Sequence, residues 1–479
     1  MLLLVGAVLA GSIAVAFGAA RVGVPSLVAF LALGMLLGSD GPGGIEFDDA
    51  ELARSVGIVG LAAILYEGGL STSWRRLRAV AVPAGLLSTV GVVVTAVLTG
   101  AAAYLLFDLS WLGSVLLGAV VASTDAAAVF ATLRYTHIRR RLARTLEAET
   151  GLNDPVAIAL TIGLIDWIDK PSFGFPDLLL LVVRQLTLGL LTGVVLGAVA
   201  MWVFARLPQS IGAFVPVASV AAAALSFGAA DVIGGSGFLA VYLVGLAVGS
   251  TPSRYRRQLV TFHEGLAFLA QVTMFIVLGL LVFPSDLPAV ALAGLALAGL
   301  LVVVIRPVAV LIATAFQNFT TRERALLGWA GLRGAVPIVL ATFVLSSDLG
   351  KAETIFNAVF FVVVVSTLVQ GTTLEWIAAR LGLVDPRPAV VAAPLEVDAL
   401  GSLELVEFDV AGDHAISGAE VRELGLPRSA LIAVVARHGE TIPPRGTTVI
   451  QPGDRLFVLA PRAIRAALED VFSRWRRRV

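Results

Sequence analysis

The chain has 479 residues, of which 58% are hydrophobic and 14% are charged, and its mean hydropathy is +0.93. Because soluble domains are about one quarter charged, this composition predicts a polytopic α-helical membrane protein with a small polar tail. The formal net charge is zero, so the chain offers no global basic field for nucleic acid. The absence of cysteine excludes disulfides, thiol catalysis and cysteine-bound metals.

About thirteen segments are apolar enough, over roughly 20 residues each, to be candidate helices that cross a lipid bilayer. In chain order they are 2–20, 24–38, 52–70, 79–106, 111–133, 146–166, 178–205, 211–229, 233–250, 260–283, 287–315, 325–346 and 354–380. The first segment lacks a preceding basic region and is followed by Arg21. This arrangement disfavours a cleaved signal peptide and favours a helix that begins outside the cell.

The loops between these segments alternate in charge. One set carries arginines and is therefore cytoplasmic by the positive-inside rule, whereas the other set is rich in Asp and Glu, as in GIEFDDAE. The basic set contains Arg21, Arg75, Arg76, Arg78, Arg134, Arg139, Arg140, Arg141, Arg144, Arg206, Arg254, Arg256, Arg257, Arg322 and Arg324. The alternation predicts an odd number of spans, an N-terminus outside and a cytoplasmic tail.

Residues 1–380 form the predicted transmembrane domain, and a Pro/Ala-rich linker, 381–401, joins it to a small α+β domain over 402–479. In that tail LELVEFDV, SALIAVVAR and GDRLFVLA predict strands, AEVRELGL predicts a short helix, and RAIRAALEDVFSRWRRRV predicts a terminal basic helix. The sequence of the tail contains no G-x-G-x-x-G loop for a dinucleotide.

Two predicted spans carry signs of an interrupted helix. The fifth contains Ser123-Thr124-Asp125 near its middle, and the twelfth contains GWAGLRGAVPIVLATF, with Arg333 between glycines. Irregular backbone is tolerated at membrane depth only where it lines a cavity, and interrupted helices in corresponding halves of a chain point to a transporter binding site. We therefore expect two crossed broken helices, with segments one to six and eight to thirteen as inverted halves.

Asp125 and Arg333 are expected to balance the charge of these broken helices. A crossing brings unpaired helix ends together, so Asp125 can face positive N-terminal ends and Arg333 can face negative C-terminal ends. A carboxylate in the membrane costs at least about 2.5 kcal/mol, so it is rarely present without a partner or a task. Either Asp125 is a purely structural neutraliser, or it also binds the transported ion.

The string ETGLNDPVAIALT places a second carboxyl group, that of Asp154, inside the sixth span. Burial favours the neutral form of a carboxyl group, so this group can hold either a proton or a desolvated monovalent cation. Oxygens of Thr124 and Thr150 could complete the shell of the cation, because hard cations prefer oxygen. Since Asn153 is neutral, one titratable group predicts a one-for-one, electroneutral exchange. The alternative is that Asp154 is a helix N-cap before Pro155.

Glu149 lies on the same span and needs a cationic partner. Arg306, in LLVVVIRPVAVLI, is the other isolated charge within an apolar span, so we expect a buried ion pair between the two. Arg333 is a competing partner for Glu149. Alternatively, Arg306 extends along the helix to the cytoplasmic face.

Other polar residues of the apolar segments are not expected to take part in the ion site. Glu67, His263 and Glu264 fall near predicted helix ends and are expected at the membrane interface. Gln271 lies deeper, where a single amide usually bonds a neighbouring helix.

These motifs resemble the monovalent cation:proton antiporter-1 family over roughly 1–380. The strings ASTDAAAVFATL, ETGLNDPVAIALT, GGSGFLAVYLVGLAVG, FHEGLAFLAQVTMFIVLGLLVFP and GWAGLRGAVPIVLATF occur in order and are most similar to its bacterial potassium/proton branch, the cell-volume-regulation antiporters. The resemblance implies an inverted-repeat antiporter fold in the bacterial inner membrane. It also implies a homodimer in which a six-helix core moves like an elevator against a dimerisation domain.

The resemblance implies roles for individual residues as well. The ion-site positions of the family fall on Asp154 for the binding aspartate, Asn153 for its neighbour, Thr124 and Asp125 for the TD pair, and Thr150 for a hydroxyl ligand. The glutamate–arginine pair of the family falls on Glu149 and, by helix position, on Arg306.

The tail, over roughly 402–466, resembles the C-terminal subdomain of RCK-type potassium-transport regulators through ELGLPRSALIAVVARHGETIPPRGTTVIQPGDRLFVLA. In relatives this TrkA C-terminal-like subdomain dimerises, and in some it binds a nucleotide or cyclic dinucleotide. The usual nucleotide-binding partner domain is missing here, which disfavours an NAD-type ligand. The resemblance favours potassium as the cation.

The predicted function is secondary antiport of a monovalent cation, K⁺ rather than Na⁺, against H⁺, with no enzymatic activity and no cofactor. An RCK-regulated potassium channel and a Na⁺/H⁺ antiporter are the alternatives. Channels normally use a filter of backbone carbonyls, and the sequence contains no TVGYG-like loop. This absence disfavours the channel.

Overall fold

The structure is a computed structural model that describes residues 2–22, 24–125, 138–207, 214–251, 255–347, 349–384, 392–394, 403–437 and 440–476. The chain divides into two compact units, Met1–Asp385 and Pro386–Val479. The boundary between the units lies within the segment that the sequence predicts as a linker, 381–401.

The described part of the first unit is helical. In chain order its helices are α1 (Leu2–Val22), α2 (Ser26–Leu37), α3 (Ala50–Ser71), α4 (Trp74–Arg78), α5 (Ala81–Leu106), α6 (Trp111–Val120), α7 (Arg140–Asp169), α8 (Phe175–Arg206), α9 (Val215–Val232), α10 (Gly237–Ser250), α11 (Arg256–Leu280), α12 (Leu287–Ala313), α13 (Thr321–Trp329), α14 (Ala335–Leu345) and α15 (Ala352–Arg380). Within the described residues, eight helices are long and apolar enough to cross a membrane, and five shorter apolar helices occupy the remaining predicted spans. The number of helices that cross the bilayer stays a prediction.

Two pairs of irregularities recur seven predicted spans apart. A π turn, Leu87–Gly91, lies within α5, and another, Leu301–Ile305, lies within α12. In the fifth predicted span the helix ends at Val120 and the backbone is irregular over 121–125, and the twelfth is interrupted at 330–334. An offset of seven, an odd number, reverses the direction of corresponding spans. This pattern is typical of an inverted repeat.

Helices α3 and α10 are packed unusually closely through glycine. A Cβ atom at Gly69 would lie 2.3 Å from the carbonyl oxygen of Tyr242, and one at Gly245 would lie 2.4 Å from the carbonyl oxygen of Tyr66. Only glycine lets two helix backbones approach so far. The two helices therefore form a firmly seated pair.

The second unit is a five-stranded antiparallel sheet with one terminal helix. Its strands are β1 (Ala392–Pro394), β2 (Leu403–Asp409), β3 (Leu431–Arg437), β4 (Glu440–Ile442) and β5 (Arg455–Pro461), in the order β1-β2-β5-β3-β4, and α16 (Arg465–Trp475) follows. Alternate residues of the strands form the core with α16, where the ring of Phe408 lies 5.0 Å from that of Phe472 and 5.1 Å from that of Trp475.

The predicted strands and terminal helix of the tail are confirmed, with two corrections. The short helix predicted for AEVRELGL was wrong, because only a 3₁₀ turn, Val421–Glu423, forms there before Gly425, whose φ is +64°, and Pro427 end the helical path. In addition, β1 lies within the segment predicted as a linker and pairs with β2.

Candidate ion-binding site

The two interrupted spans contact each other directly. α6 ends at Val120 and the chain is irregular through Asp125, while residues 330–334 separate α13 from α14. The backbone N–H of Asp125 donates to the carbonyl oxygen of Leu332 over 2.8 Å. The expected contact between broken helices is therefore present, and the remainder of the fifth span, 126–133, lies outside the described residues.

Arg333 and Asp125 lie at opposite helix ends of this crossing. The Arg333 guanidinium is buried and donates to the carbonyl oxygens of Ala122 and Ser123, just beyond the C-terminal end of α6. The Asp125 carboxylate abuts Gly334, the N-cap residue of α14, where a Cβ atom would lie only 1.6 Å from Oδ2. A cation at a helix C-terminus and an anion at an N-terminus are both favourable. The placement is the one expected from the sequence.

Helix α15 holds the second break in place. The backbone N–H of Arg333 donates to Ser366 Oγ over 3.0 Å, and the Thr367 hydroxyl donates to the Arg333 carbonyl oxygen over 2.8 Å. Gln370 Nε2 donates to the carbonyl oxygen of Trp329 over 2.8 Å. These side chains satisfy backbone groups that the interrupted helix leaves free. The sequence did not reveal them, because each is a single polar residue in an apolar helix.

Asn153 and Asp154 lie on α7, beside the first break. α7 continues through Asp154 and Pro155, so the interpretation of Asp154 as a helix N-cap is wrong. Asn153 Nδ2 donates to the Thr124 hydroxyl over 2.5 Å. Asp154 is 4% exposed, and the Oδ1 atoms of Asn153 and Asp154 have no hydrogen-bond partner among the described residues. Buried acceptors in this condition are suited to a cation, because leaving them unpaired is costly.

Glu149 and Arg306 form an ion pair, and each residue is 1% exposed. The two π turns position this pair: Arg306 follows directly after the second, and Ser88, inside the first, lies with its hydroxyl 2.8 Å from the Glu149 carbonyl oxygen. Arg306, and not Arg333, is therefore the ion-pair partner of Glu149. The burial of Arg306 contradicts the alternative in which its side chain extends to the membrane surface.

A cavity of about 470 Å³ leads to the carboxyl groups of Asp125 and Asp154. Its lining comprises Leu61, Ile64, Leu65, Glu67, Gly68, Ser71, Thr72, Arg76, Asp125, Glu147, Thr150, Gly151, Asp154, Tyr242, Gln271, Ala335 and Val336. Arg76 is exposed whereas Asp154 is buried, so the cavity joins the site to the surface near the basic segment Trp74–Arg78. The Thr150 hydroxyl lies on its wall and donates to the carbonyl oxygen of Leu146 over 3.0 Å.

Comparison with known proteins identifies the family. The family model described as "Sodium/hydrogen exchanger, transmembrane" matches residues 5–380. The chain belongs to the sodium/hydrogen exchanger family. As a member of it, the exchanger is a monovalent cation/proton antiporter, which is a secondary transporter and not an enzyme. A second model, described as the TrkA-C domain, matches residues 405–473, so the predicted identity of the tail is confirmed as well.

The exchanger is similar to named relatives over nearly its whole length. It is 39% identical over 477 residues to the K(+)/H(+) antiporter NhaP2 of Shewanella sp. (strain ANA-3), covering 98% of this chain and 83% of the relative. It is 37% identical over 467 residues to the K(+)/H(+) antiporter NhaP of Alkalimonas amylolytica, covering 96% of this chain and 81% of the relative. Its fold matches the sodium proton antiporter MjNhaP1 from Methanocaldococcus jannaschii with a TM-score of 0.71 at 23% identity, over 78% of this chain and 97% of that one. These similarities confirm the predicted fold class.

Several polar residues of the exchanger line the cavity although the sequence did not assign them to it. Glu67 and Gln271, expected at the interface and in a helix contact, are half-buried and line the cavity. Tyr242 does so too. No signal in GFLAVYLVGLAVGS separates this tyrosine from the apolar residues around it, since its role depends on which helix α10 faces.

His263, expected near a helix end at the membrane interface, lies in a buried polar cluster. It is 2% exposed, and its Nε2 lies 3.0 Å from the hydroxyl of Ser219, which is also 2.9 Å from the hydroxyl of Tyr66. Ser219 belongs to α9 and Tyr66 to α3, so this buried polar cluster joins three helices. Position along one helix could not reveal it, because the partners come from helices that are distant in sequence.

Proposed function

We propose that the exchanger moves K⁺ and H⁺ in opposite directions across the bacterial cell membrane, with Asp154 as the site that both ions share. The position of Asp154 carries this proposal: its carboxyl group is buried at a cavity that also reaches Asp125 and Thr150. Thr124 is joined to the same place through its hydrogen bond with Asn153. These residues supply the oxygen ligands that an alkali cation needs.

A single shared site couples the two ions. A carboxylate at membrane depth is costly unless it is protonated or paired, so either ion stabilises the site and excludes the other. Asn153 contributes an amide in place of a second carboxylate. One proton therefore exchanges for one cation, and no net charge crosses the membrane.

The buried pair of Glu149 and Arg306 stays outside this proton count. Its two charges neutralise each other, and neither residue lines the cavity. Its role is to hold α7 against α12 next to the site. A structural pair of this kind fixes the depth of Asp154 without binding the transported ion.

Two observations support potassium as the cation. The relatives from Shewanella and Alkalimonas that match nearly the whole chain are named K(+)/H(+) antiporters. The tail matches the TrkA-C domain, and the resemblance of the tail to potassium-transport regulators favours the same ion. Sodium is the second candidate, because the matching family model is described by sodium/hydrogen exchange.

The transport cycle is proposed to be alternating access within a homodimer. In this cycle a six-helix core moves like an elevator against a dimerisation domain, as the family resemblance implies. We place α5–α7 and α12–α15, which surround the candidate site, in the core. The charge of the loops supports an N-terminus outside and a tail in the cytoplasm. In that orientation the cavity near Arg76 opens to the cytoplasm.

The tail is proposed to regulate the exchanger in response to a nucleotide or cyclic dinucleotide. The match of residues 405–473 to the TrkA-C domain supports a regulatory domain. Deletion of 402–479 should change the response to such an effector and leave exchange itself intact. Loss of all exchange in a deletion variant that still inserts in the membrane would contradict a purely regulatory tail.

Purified protein in proteoliposomes with an internal pH dye tests the central proposal. Added K⁺ should dissipate an imposed pH gradient with the wild-type exchanger and not with Asp154→Asn. Asp166→Asn is the matched control, since Asp166 lies on the same helix but pairs with Lys170 near its end, and it should leave exchange intact.

Three results would contradict parts of this proposal. Full exchange by Asp154→Asn would remove Asp154 from the mechanism. A faster response to Na⁺ than to K⁺ at equal concentration would replace the cation. A rate that changes when the membrane potential is clamped would contradict electroneutral exchange.

A further inference from the structure

Tyr242 is held by its backbone in the firmly seated pair of α3 and α10. Its carbonyl oxygen lies where a Cβ atom at Gly69 would be only 2.3 Å away. Three residues further along α10, Gly245 packs as closely on the backbone of Tyr66. Because both contacts join backbone atoms, α10 cannot slide along α3 or rotate against it without separating the two helices. Tyr242 is therefore fixed in position.

The side chain of Tyr242 crosses from α10 to α7 and lies on Gly151. A Cβ atom at Gly151 would lie 2.5 Å from two ring atoms, Cε2 and Cζ, and 2.7 Å from the hydroxyl oxygen. Gly151 precedes Asp154 by three residues on the same helix. Residues at this spacing are neighbours on one helix face, with Cβ atoms about 5–6 Å apart. The Tyr242 hydroxyl is therefore within one helical turn of the proposed ion site.

The Tyr242 hydroxyl is buried and lacks a well-formed hydrogen bond. Tyr242 is 2% exposed, and its hydroxyl has no hydrogen-bond partner of ordinary geometry among the described residues. Thr72 approaches it closely enough for a weak hydrogen bond, but the single hydrogen of the Thr72 hydroxyl is directed to the Gly68 carbonyl at 2.8 Å or the Glu147 carboxylate at 3.1 Å. Leaving a buried hydroxyl without a good partner is costly, so an occupant of the cavity that accepts or replaces that contact is stabilised.

A second oxygen at the same place, the carbonyl oxygen of Gly151, lacks its usual helical hydrogen bond. Pro155 lacks an N–H group and cannot donate to the carbonyl oxygen of Gly151, four residues earlier in α7. This carbonyl is thus free of the regular helical hydrogen bond, in the residue on which the ring of Tyr242 packs. Gly151 and Tyr242 both line the cavity that leads to Asp154.

We propose that the Tyr242 hydroxyl is a transient oxygen ligand for the cation on its way to Asp154. The hydroxyl replaces a water of hydration as the cation enters, with its oxygen toward the cation and its hydrogen free to reach the Gly151 carbonyl. This step rests on the proposed function of Asp154. It also assigns a cation-binding group to α10, which lies outside the core that carries the other ligands.

The change Tyr242→Phe tests this assignment, because it removes the hydroxyl and keeps the ring on Gly151. The KM for K⁺, measured in proteoliposomes at alkaline pH where protons compete least, should rise about three- to tenfold. The maximal rate should change by less than about twofold. Tyr66→Phe is the matched control, since it removes another buried tyrosine hydroxyl from the same helix pair, one bonded to Ser219 and absent from the cavity. It should leave the KM unchanged.

The possible outcomes separate the assignment from structural roles. An unchanged KM in Tyr242→Phe, or an equal rise in Tyr66→Phe, would overturn it. The assignment would also be overturned if Thr72→Val raised the KM by the same factor and the double variant with Tyr242→Phe raised it no further. In that case the Tyr242 hydroxyl would act through Thr72. If Asp154→Asn retains full exchange, the proposed function itself fails. If Tyr242→Phe has the wild-type KM while Asp154→Asn is inactive, only the role of Tyr242 is contradicted and the proposed function stands.

Discussion

The Asn153 amide donates a 2.5 Å hydrogen bond to the Thr124 hydroxyl, and both side chains are almost completely buried. This contact joins α7, which carries Asp154, to the irregular stretch 121–125. The positions of the carboxyl group and of the chain break are therefore coupled. A residue next to the proposed ion site thus has two features: it presents a neutral amide there, and it joins two helical segments.

The first prediction concerns this coupling. Asn153→Ala should lower the affinity for the cation about five- to 150-fold, because a buried hydroxyl that loses its partner costs about 1–3 kcal/mol. Thr124→Val should have a similar effect. The double variant should be no worse than the more damaging single variant, since neighbouring residues that share one bond are not additive. Strictly additive losses, measured as KM for K⁺ in proteoliposomes, would show that the hydrogen bond does not couple them.

The second prediction concerns the buried pair of Glu149 and Arg306. Glu149→Gln should lower the free energy of unfolding in detergent by about 3–5 kcal/mol, because it leaves a buried guanidinium without its counter-charge. The double change Glu149→Leu with Arg306→Met should recover most of that loss, since it removes both charges. Thermal unfolding in detergent measures both effects. Equal stability of the wild type and Glu149→Gln would contradict a structural role for the pair.

The sequence predicted the parts of the site that depend on chemistry along one segment. Asp154 and Asp125 stand out because charge in an apolar span needs an explanation, and Arg333 stands out because glycines flank it. The contact of Glu149 with Arg306 could be expected as well, since these were isolated opposite charges in otherwise apolar helices. In each case the energetic cost of a polar group in the membrane is itself the signal.

Residues whose roles depend on facing helices could not be found in this way. Tyr242 reaches the cavity only because glycines draw α10 against α3, and His263 is buried only because α3 and α9 cover it. The π turns that position Ser88 and Arg306 also have no sequence signature, since LSTVG and LVVVI both read as ordinary apolar helix. Helix packing decides all of these features.

The third prediction concerns the contact of Gly334 with Asp125. Gly334→Ala should abolish exchange, because its Cβ atom would occupy the position of the Asp125 carboxylate and force the two chain breaks apart. Overpacking of this kind also costs about 1–3 kcal/mol of stability. Gly299→Ala is the matched control, since a Cβ atom there meets nothing within 4 Å. Wild-type exchange by Gly334→Ala would show that Asp125 need not sit at the N-terminus of α14.

The fourth prediction concerns an ion pair in the tail. Asp454 has a fully buried side chain and accepts hydrogen bonds from Arg437 Nε and Nη2 at 2.7 and 2.8 Å. The hydrogen bond to Asp454 raises the pKa of Arg437 above its usual value. An arginine whose pKa is raised in the folded state stabilises the fold at every pH below the pKa it has in the unfolded chain, and the contribution is lost only as the pH rises through the folded-state pKa. Both pKa values lie well above pH 9, so this contribution should not vary between roughly pH 6 and 9.

Asp454→Asn should therefore destabilise β3 and β5 by about 1–3 kcal/mol, equally at both ends of that pH range. Hydrogen exchange of the full chain, followed on peptides from these strands, measures the change. Asp409→Asn is the control, because Asp409 pairs with Arg455 on the exposed surface, and it should cause no measurable change. A loss of stability that appears only at the acidic end would contradict the assignment to Arg437.

The last prediction concerns Thr150. Its hydroxyl donates its hydrogen to the Leu146 carbonyl oxygen, so the lone pairs of Thr150 Oγ1 remain available to a cation in the cavity. Thr150→Ala should raise the KM for K⁺ about three- to tenfold, and Thr150→Ser, which keeps the hydroxyl, should restore it. Thr145 is the matched control: it is buried on the same helix and donates to the Arg141 carbonyl oxygen at 2.9 Å, but it does not line the cavity. If Thr145→Ala raises the KM as much as Thr150→Ala does, the effect belongs to the helix and not to a ligand, and Thr150 leaves the proposed cation shell.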